Sequence, residues 1–341
     1  MKMWRYVQRR LLLIIPVLIG VSLVVFMLTR LAGDPAAAYI SDKHAGDPVY
    51  YEQVVKRLHL DEPYYVQYWY WLEALFQGDW GYSKTATMEV SEAIPYFFPA
   101  TIELALVAVL MAILIGIPLG MASAVRRNKP YDHATRVISL IGVSIPIFWL
   151  GLILLNIFSY QLGWFPNGNR YDLDFSLNNE IPDITGLILV DSLLTGNIEL
   201  FLNGAWHLVL PAVCLAFGSI AIIMRIMRNS MLEVLNLDYI KTARAKGVPE
   251  KDVIHKHARK NAMIPTTTVI GLAFGGLLAG AVLTESIFAW PGLGRWSAKA
   301  MINIDTAAIM GFCLLVAIIY LIVNLIVDLM YAWMDPRVRL G

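Results

Sequence analysis

"TARAKGVPEKDVIHKHARKNAMIP", residues 242–265, is the most basic stretch of a chain that is otherwise largely apolar. It joins two membrane-length runs, and its residues spell out local structure. The segment leading into it, "SMLEVLNLDYIKTARAKG", is rich in Ala, Leu, Lys and Arg and favours helix. Gly247 is a natural helix stop. Pro249 suits the first turn of a second helix, with Glu250 and Asp252 near its positive end and Lys256, Arg259 and Lys260 towards its negative end. Ala243 and Gly247 lie four apart, so they are expected to share one small face that another backbone can approach closely. A disordered basic loop would fix membrane topology equally well. The helix–turn–helix patterning therefore asks for a further role.

The whole chain supports a membrane setting. Of its 341 residues, 58% are hydrophobic and only 16% charged, and the mean hydropathy is +0.60. Soluble domains carry about 25% charged residues. The net charge of +1 gives no support to a nucleic-acid partner. Cys214 and Cys313 lie far apart in apolar runs and read as packing residues, with no metal-ligand spacing.

Crossing ~30 Å of hydrocarbon takes roughly 20 apolar residues. Six runs qualify, at about residues 11–31, 100–125, 137–162, 206–224, 265–288 and 306–333. Pro16, Pro118, Pro146 and Pro211 fall inside them and do not veto helices, because neighbouring helices or waters can satisfy the freed carbonyls. The N-terminal apolar stretch exceeds the usual length of a signal-peptide core, so an uncleaved first span is expected.

Lys and Arg set the orientation. Lys2, Arg5, Arg9 and Arg10 precede span one. Arg126, Arg127, Lys129 and Arg136 lie between spans two and three, and nine cations from Arg225 to Lys260 lie between four and five. Arg337 and Arg339 follow span six. All four clusters fall on one side, which predicts both termini in the cytoplasm. The opposite segments are acid-rich: residues 163–205 hold Arg170 alone against six carboxylates. The expected architecture is an all-α integral membrane protein. It divides into an N-terminal tail and first span (1–32), an aromatic-rich external segment (33–99) and a five-helix core (100–341), which includes an external loop (163–205) and a cytoplasmic loop (225–264).

"DEPYYVQYWYWLEALFQGDWGYS" within the first external segment suits an amphipathic element at the outer interface, either an aromatic belt or a docking surface. Residues 163–205 are expected to pack on that segment. Polar residues inside spans are candidates for a translocation path, since burial in lipid is costly: Glu103, Asn156, Glu285, Asn324 and Asp328. A structural role in a helix contact is the plainer alternative for Glu103, Glu285 and Asp328. Gly271–Gly275 and Gly276–Gly280 have the spacing of close helix packing. No GxxxxGK[ST], HExxH or GxSxG occurs, and His255 and His257 point to different helix faces, a poor metal pair.

The hairpin resembles the cytoplasmic signature of ATP-binding-cassette importer permeases, an EAA core, three residues, then Gly. Here Lys241, Thr242 and Ala243 occupy the core and Gly247 the Gly. The spelling "DYIKTARAKGV…KHARKNAMIP", with "WRYVQRRLLLIIPVLIGVSLVVFMLTRLAGDP", "PATIELALVAVLMAILIGIPLG" and "ESIFAWPGLGRW", is similar to the dipeptide/oligopeptide/nickel permease family over nearly the whole chain. Two departures stand out: Lys241 replaces the acidic first residue, and the later Ile-x-Leu-Pro falls on His257–Lys260 without its Pro. The resemblance implies the type I importer permease fold and a coupling helix seated in an ATPase cleft, with Tyr239, Thr242, Ala243, Arg244, Lys246, Gly247 and Val248 at the contact. It also implies partners: a second related permease, two ATPase subunits that bind ATP and Mg, and an external solute-binding protein. No cofactor or metal is expected in this chain, and no catalysis. Peptides lead as the cargo, with oligosaccharides, nickel or glutathione as alternatives. An ion-coupled secondary transporter is the runner-up class, disfavoured by six spans, no repeat and few central charges.

Overall fold

The computed structural model describes residues 3–40, 46–178 and 180–334. Lys2, Arg337 and Arg339, counted among the basic flanks, lie outside them. Five helices among the described residues are long and apolar enough to cross a membrane, or six if one bent pair counts as a single span.

The first crossing is α1 (Met3–Ala32), with Pro16 inside it. The external segment follows as α2 (Pro48–Arg57) and α3 (Tyr64–Phe76), then a two-strand hairpin, β1 (Tyr82–Ser83) with β2 (Met88–Glu89). Asp47 starts α2 by accepting from the amides of Val49 and Tyr50. α3 is two-faced. Tyr68 packs edge-on and Trp71 tilted against Phe26 of α1, with ring centroids 5.4 and 5.8 Å away, and the Tyr68 hydroxyl meets Ser22 Oγ at 2.8 Å. Tyr65, Trp69 and Phe76 stay exposed on the other face.

The core helix α4 (Val90–Val125) begins at Val90, earlier than the expected start near residue 100, and carries Pro95, Pro99 and Pro118 without interruption. It packs along α9 (Ile198–Leu235). Small residues make that approach possible. A Cβ at Gly120 would lie 2.5 Å from the Met224 carbonyl oxygen, and one at Gly116 would lie 3.2 Å from that of Ile220. Ala105, Ala108, Ala112, Ala212 and Ala216 are fully buried in the same seam. Small residues at such positions let helix backbones meet without a hydrophobic drive from water. At 38 residues, α9 spans about 57 Å, well beyond the ~30 Å of hydrocarbon.

The third crossing departs from the straight span expected over 137–162. α5 (Pro130–Ser144) and α6 (Ile147–Leu154) meet at 104°. Ile145 between them is extended, with ψ 125°, because the ring of Pro146 disfavours helix in the residue before it. Pro16, Pro118 and Pro211 follow residues that remain helical, so Pro146 alone of the four breaks its helix. α6 continues through a π-helical turn, Leu155–Gln161.

Residues 163–205 hold α7 (Leu173–Asn178) and α8 (Ile188–Leu194). They pack on α4 and α9 and meet the expected first external segment where it has already become α4: a Cβ at Gly186 would lie 2.7 Å from Pro99. After α9 come α10 (Asp238–Ala245) and α11 (Glu250–Asp252). α11 runs through a π-helical turn (Val253–Ala258) into α12 (Arg259–Gly280). The fifth crossing is therefore continuous with the basic hairpin and ends at Gly280, short of the expected 288. α13 (Val282–Ile287) and α14 (Leu293–Ile302) form the turn after it, and α15 (Thr306–Met334) is the last crossing. Gly271 and Gly275 face Val327, Val323 and Tyr320 of α15, so this glycine pair serves helix packing.

Candidate functional site

The hairpin is a separate element. The helix read through residues 230–247 is broken at Asn236 and Leu237, where Leu237 turns extended (ψ 151°) before α10 begins. The corner after α10 is a Schellman motif. The Val248 amide donates to the Ala243 carbonyl at 3.2 Å and the Gly247 amide to the Arg244 carbonyl at 2.9 Å. Gly247 sits at φ +75°, the left-handed region that favours glycine.

This geometry corrects the expected small face. Gly247 lies past the helix end, so it shares no helical face with Ala243. Ala243 and Val248 turn inward and pack with Ile240, Val253, Ala258 and Met231 on the core. The outward surface is Tyr239, Thr242, Arg244, Lys246 and Gly247, all exposed. Tyr239 Oη accepts from Asn261 Nδ2 at 2.6 Å, and Thr242 Oγ1 donates to the Asp238 carbonyl. Arg244 is paired within the hairpin, bidentate to Glu250 at 2.7 and 3.0 Å across the corner. Lys241 bonds Asp238 at 2.9 Å and holds that exposed carboxyl below its ordinary range. Lys246 makes no ion pair among the described residues.

The span carboxylates serve as struts. Glu103 is buried, paired with Arg170 at 2.6 Å, and accepts the Leu189 amide at 2.8 Å. It ties the external loop to α4. Glu285 is fully buried and accepts from Thr101 Oγ1 at 2.7 Å and the Arg295 amide at 2.9 Å. Thr101 in turn accepts the Leu293 amide. Together they satisfy the first turn of α14, whose own N-cap, Gly292, has no side chain to do so. Trp290 closes the same knot by donating to the Ala100 carbonyl at 2.8 Å. Asp328 pairs with Arg10 at 2.9 Å and joins α15 to α1. Asn156 is exposed on the π-helical turn and Asn324 is half-buried in α15. These two are the path candidates without a strut contact among the described residues.

Several polar residues escaped the sequence reading. Asp132, fully buried, accepts from Arg228 Nε at 2.6 Å and Nη2 at 2.9 Å, from Ser123 Oγ at 2.6 Å and from the Asn128 amide at 3.0 Å. It locks the start of α5 to α9 across 96 residues of sequence, a distance no local signal bridges. Asp305 caps α15 through the Ala308 amide and binds Ser83 Oγ at 2.8 Å. Its place just before "TAAI" is a legible cap signal. Asp191 is opposed by burial, but hydrogen bonds from Thr185 and the amides of Ile184 and Gly186 prevail and hold it below the usual carboxylate range.

A multi-pass helical membrane protein with an exposed basic hairpin between its fourth and fifth crossings is the class these features define. Residues 116–340 match the family described as binding-protein-dependent transport system inner membrane component, and residues 3–105 match its N-terminal counterpart. The chain is 44% identical to the probable D,D-dipeptide transport system permease protein DdpB of Escherichia coli (strain K12), over 100% of this chain and 99% of that one. It is 43% identical to the di/tripeptide transport system permease protein DppB of Pseudomonas aeruginosa (strain UCBPP-PA14), over 99% of each. It is 37% identical to the oligopeptide transport system permease protein AppB of Bacillus subtilis (strain 168), over 98% of this chain and 99% of that one. The chain belongs to the family of inner-membrane components of binding-protein-dependent transport systems, with the type I importer permease fold.

Proposed function

We propose that this chain is a permease subunit that imports peptides, delivered by an external binding protein, through alternating access driven by partner ATPases. The observation that carries the coupling role is the hairpin. α10 presents Tyr239, Thr242, Lys246 and Gly247 outward, while Ile240, Ala243 and Val248 fasten its other face to the core. A short helix fixed on one side and open on the other suits an external cleft, and α11 leads from it into a crossing without a break. The chain has no phosphate loop, so ATP and Mg belong to two partner ATPase subunits. A second related permease completes the path as a mixed pair. Peptide cargo is supported by the relatives named for D,D-dipeptide, di/tripeptide and oligopeptide transport.

The test is a mild-detergent pull-down of the tagged chain from native membranes, with every copurifying protein identified. A second six-span permease, ATPases carrying phosphate loops and a binding protein that elutes with peptide are expected. Recovery of the chain alone, or of a binding protein loaded with sugar, would overturn the assembly or the cargo respectively.

A further inference from the structure

A cavity of about 810 Å³ opens between the inner ends of α4, α5 and α9. Arg127, Arg136, Arg225 and Arg228 line it together with His133, and no carboxylate does. Arg228 is committed to Asp132 behind the wall. Arg127, Arg136 and Arg225 are exposed and make no ion pair among the described residues.

The wall is built rather than incidental. Ser139 Oγ donates to the Ala221 carbonyl at 2.9 Å, and Thr135 bonds Ser123, which bonds Asp132. These contacts hold α5 at a fixed spacing from α9 and α4. On α5, Val137 and Leu140 also line the cavity and are 56% and 66% exposed, next to Arg136. One face of one helix thus offers a guanidinium and then an apolar strip.

The geometry points to a site for one anionic phospholipid, its phosphate among Arg127, Arg136 and Arg225 and an acyl chain along Val137 and Leu140. The inference rests on the orientation of the importer reading, which puts this end at the inner leaflet. Guanidinium groups match phosphate oxygens by paired hydrogen bonds. Basic pockets between crossings on the cytoplasmic side receive acidic headgroups. A transported solute fits less well, because cargo must leave and three unpaired guanidiniums would retain a carboxylate. The cavity reaches Leu232, near the end of α9 at Leu235, and the hairpin helix begins at Asp238. The lipid would therefore sit against the helix that carries the hairpin.

The test uses the transporter purified through this chain and equilibrated in micelles holding equal amounts of phosphatidylglycerol and phosphatidylcholine. Lipid retained after gel filtration is quantified by mass spectrometry. Wild type is expected to retain phosphatidylglycerol in preference by roughly tenfold or more. The triple variant Arg127→Gln, Arg136→Gln, Arg225→Gln should lose the preference, and the corresponding triple Lys variant should keep most of it. Equal retention by wild type and the Gln variant would overturn the site. Displacement of the lipid by millimolar inorganic phosphate would make it a free-anion site, and displacement by a transported dipeptide would make it part of the path. Should the Gln variant not survive extraction, the wild-type preference and the two competition arms decide. Retention is read without transport, so failure here and failure of the peptide-import reading are separate results.

Discussion

Two bidentate arginine–carboxylate pairs lie on the same side of the molecule and differ in almost everything but bond length. Asp132–Arg228 spans 2.6 and 2.9 Å, and Arg244–Glu250 spans 2.7 and 3.0 Å. The side chains of the first are 0% and 15% exposed, those of the second 56% for Glu250 and 42% for Arg244. The first joins helices distant in sequence and seats its carboxylate fully out of solvent. The second bridges one corner, and solvent stands ready on both sides. The same contact is a rivet in the frame and a light staple on the hairpin. The hairpin proposed to dock on a partner is held by a staple, whereas the helices around it are riveted.

The largest expected effect is at the rivet. Asp132→Ala leaves the Ser123 hydroxyl and the Asn128 amide without their acceptor and Arg228 without its partner, and should cost about 3–5 kcal/mol, seen as a marked fall in Tm in detergent. Asp132→Asn keeps some of the Ser123 and Asn128 bonds and should fall in between. An unchanged Tm in both would break the comparison. Next comes Glu285→Gln at the outer knot. Its amide cannot accept at every position the carboxylate does, which predicts a loss of about 1–3 kcal/mol by the same assay. At the corner, a Cβ on Gly247 meets open space, so Gly247→Ala carries only the left-handed strain of about 1–2 kcal/mol. Gly247→Trp should cost no more stability than the Ala variant yet abolish coupling of ATP hydrolysis to uptake. Normal coupling in the Trp variant would remove the hairpin from the docking surface. Arg244→Gln should change stability least, by about 0.2–1 kcal/mol, and less still at high salt. A loss as large as that of Asp132→Ala would erase the distinction drawn here.

Sequence reading reached what local chemistry dictates. The stop at Gly247 and the restart after Pro249 were legible because a left-handed glycine and a fixed proline φ act within a few residues. Five crossing helices and the bent pair were legible from length and hydropathy alone, though not the bend itself. Pro146 breaks its helix where Pro118 and Pro211 do not, although the same ring acts on the residue before each, so residue type alone does not mark the break. The span carboxylates were found but their partners were not: Glu285 finds Thr101 at a separation of 184 residues, and Glu103 finds Arg170 at 67. Ala243 was read by spacing as part of an open face. Its inward turn follows from Ile240 and Val248, which need the core beneath them.

α9 is one unbroken rod of 38 residues, capped at its start by Asn197 and ending at Leu235, just before the hairpin. Pro211 passes through it without a joint. A tilt of about 5° about one end of a rod about 57 Å long carries the other end through about 5 Å. A displacement of about 5 Å at one end thus needs only a small angular change at the other. In this molecule, leverage comes from length.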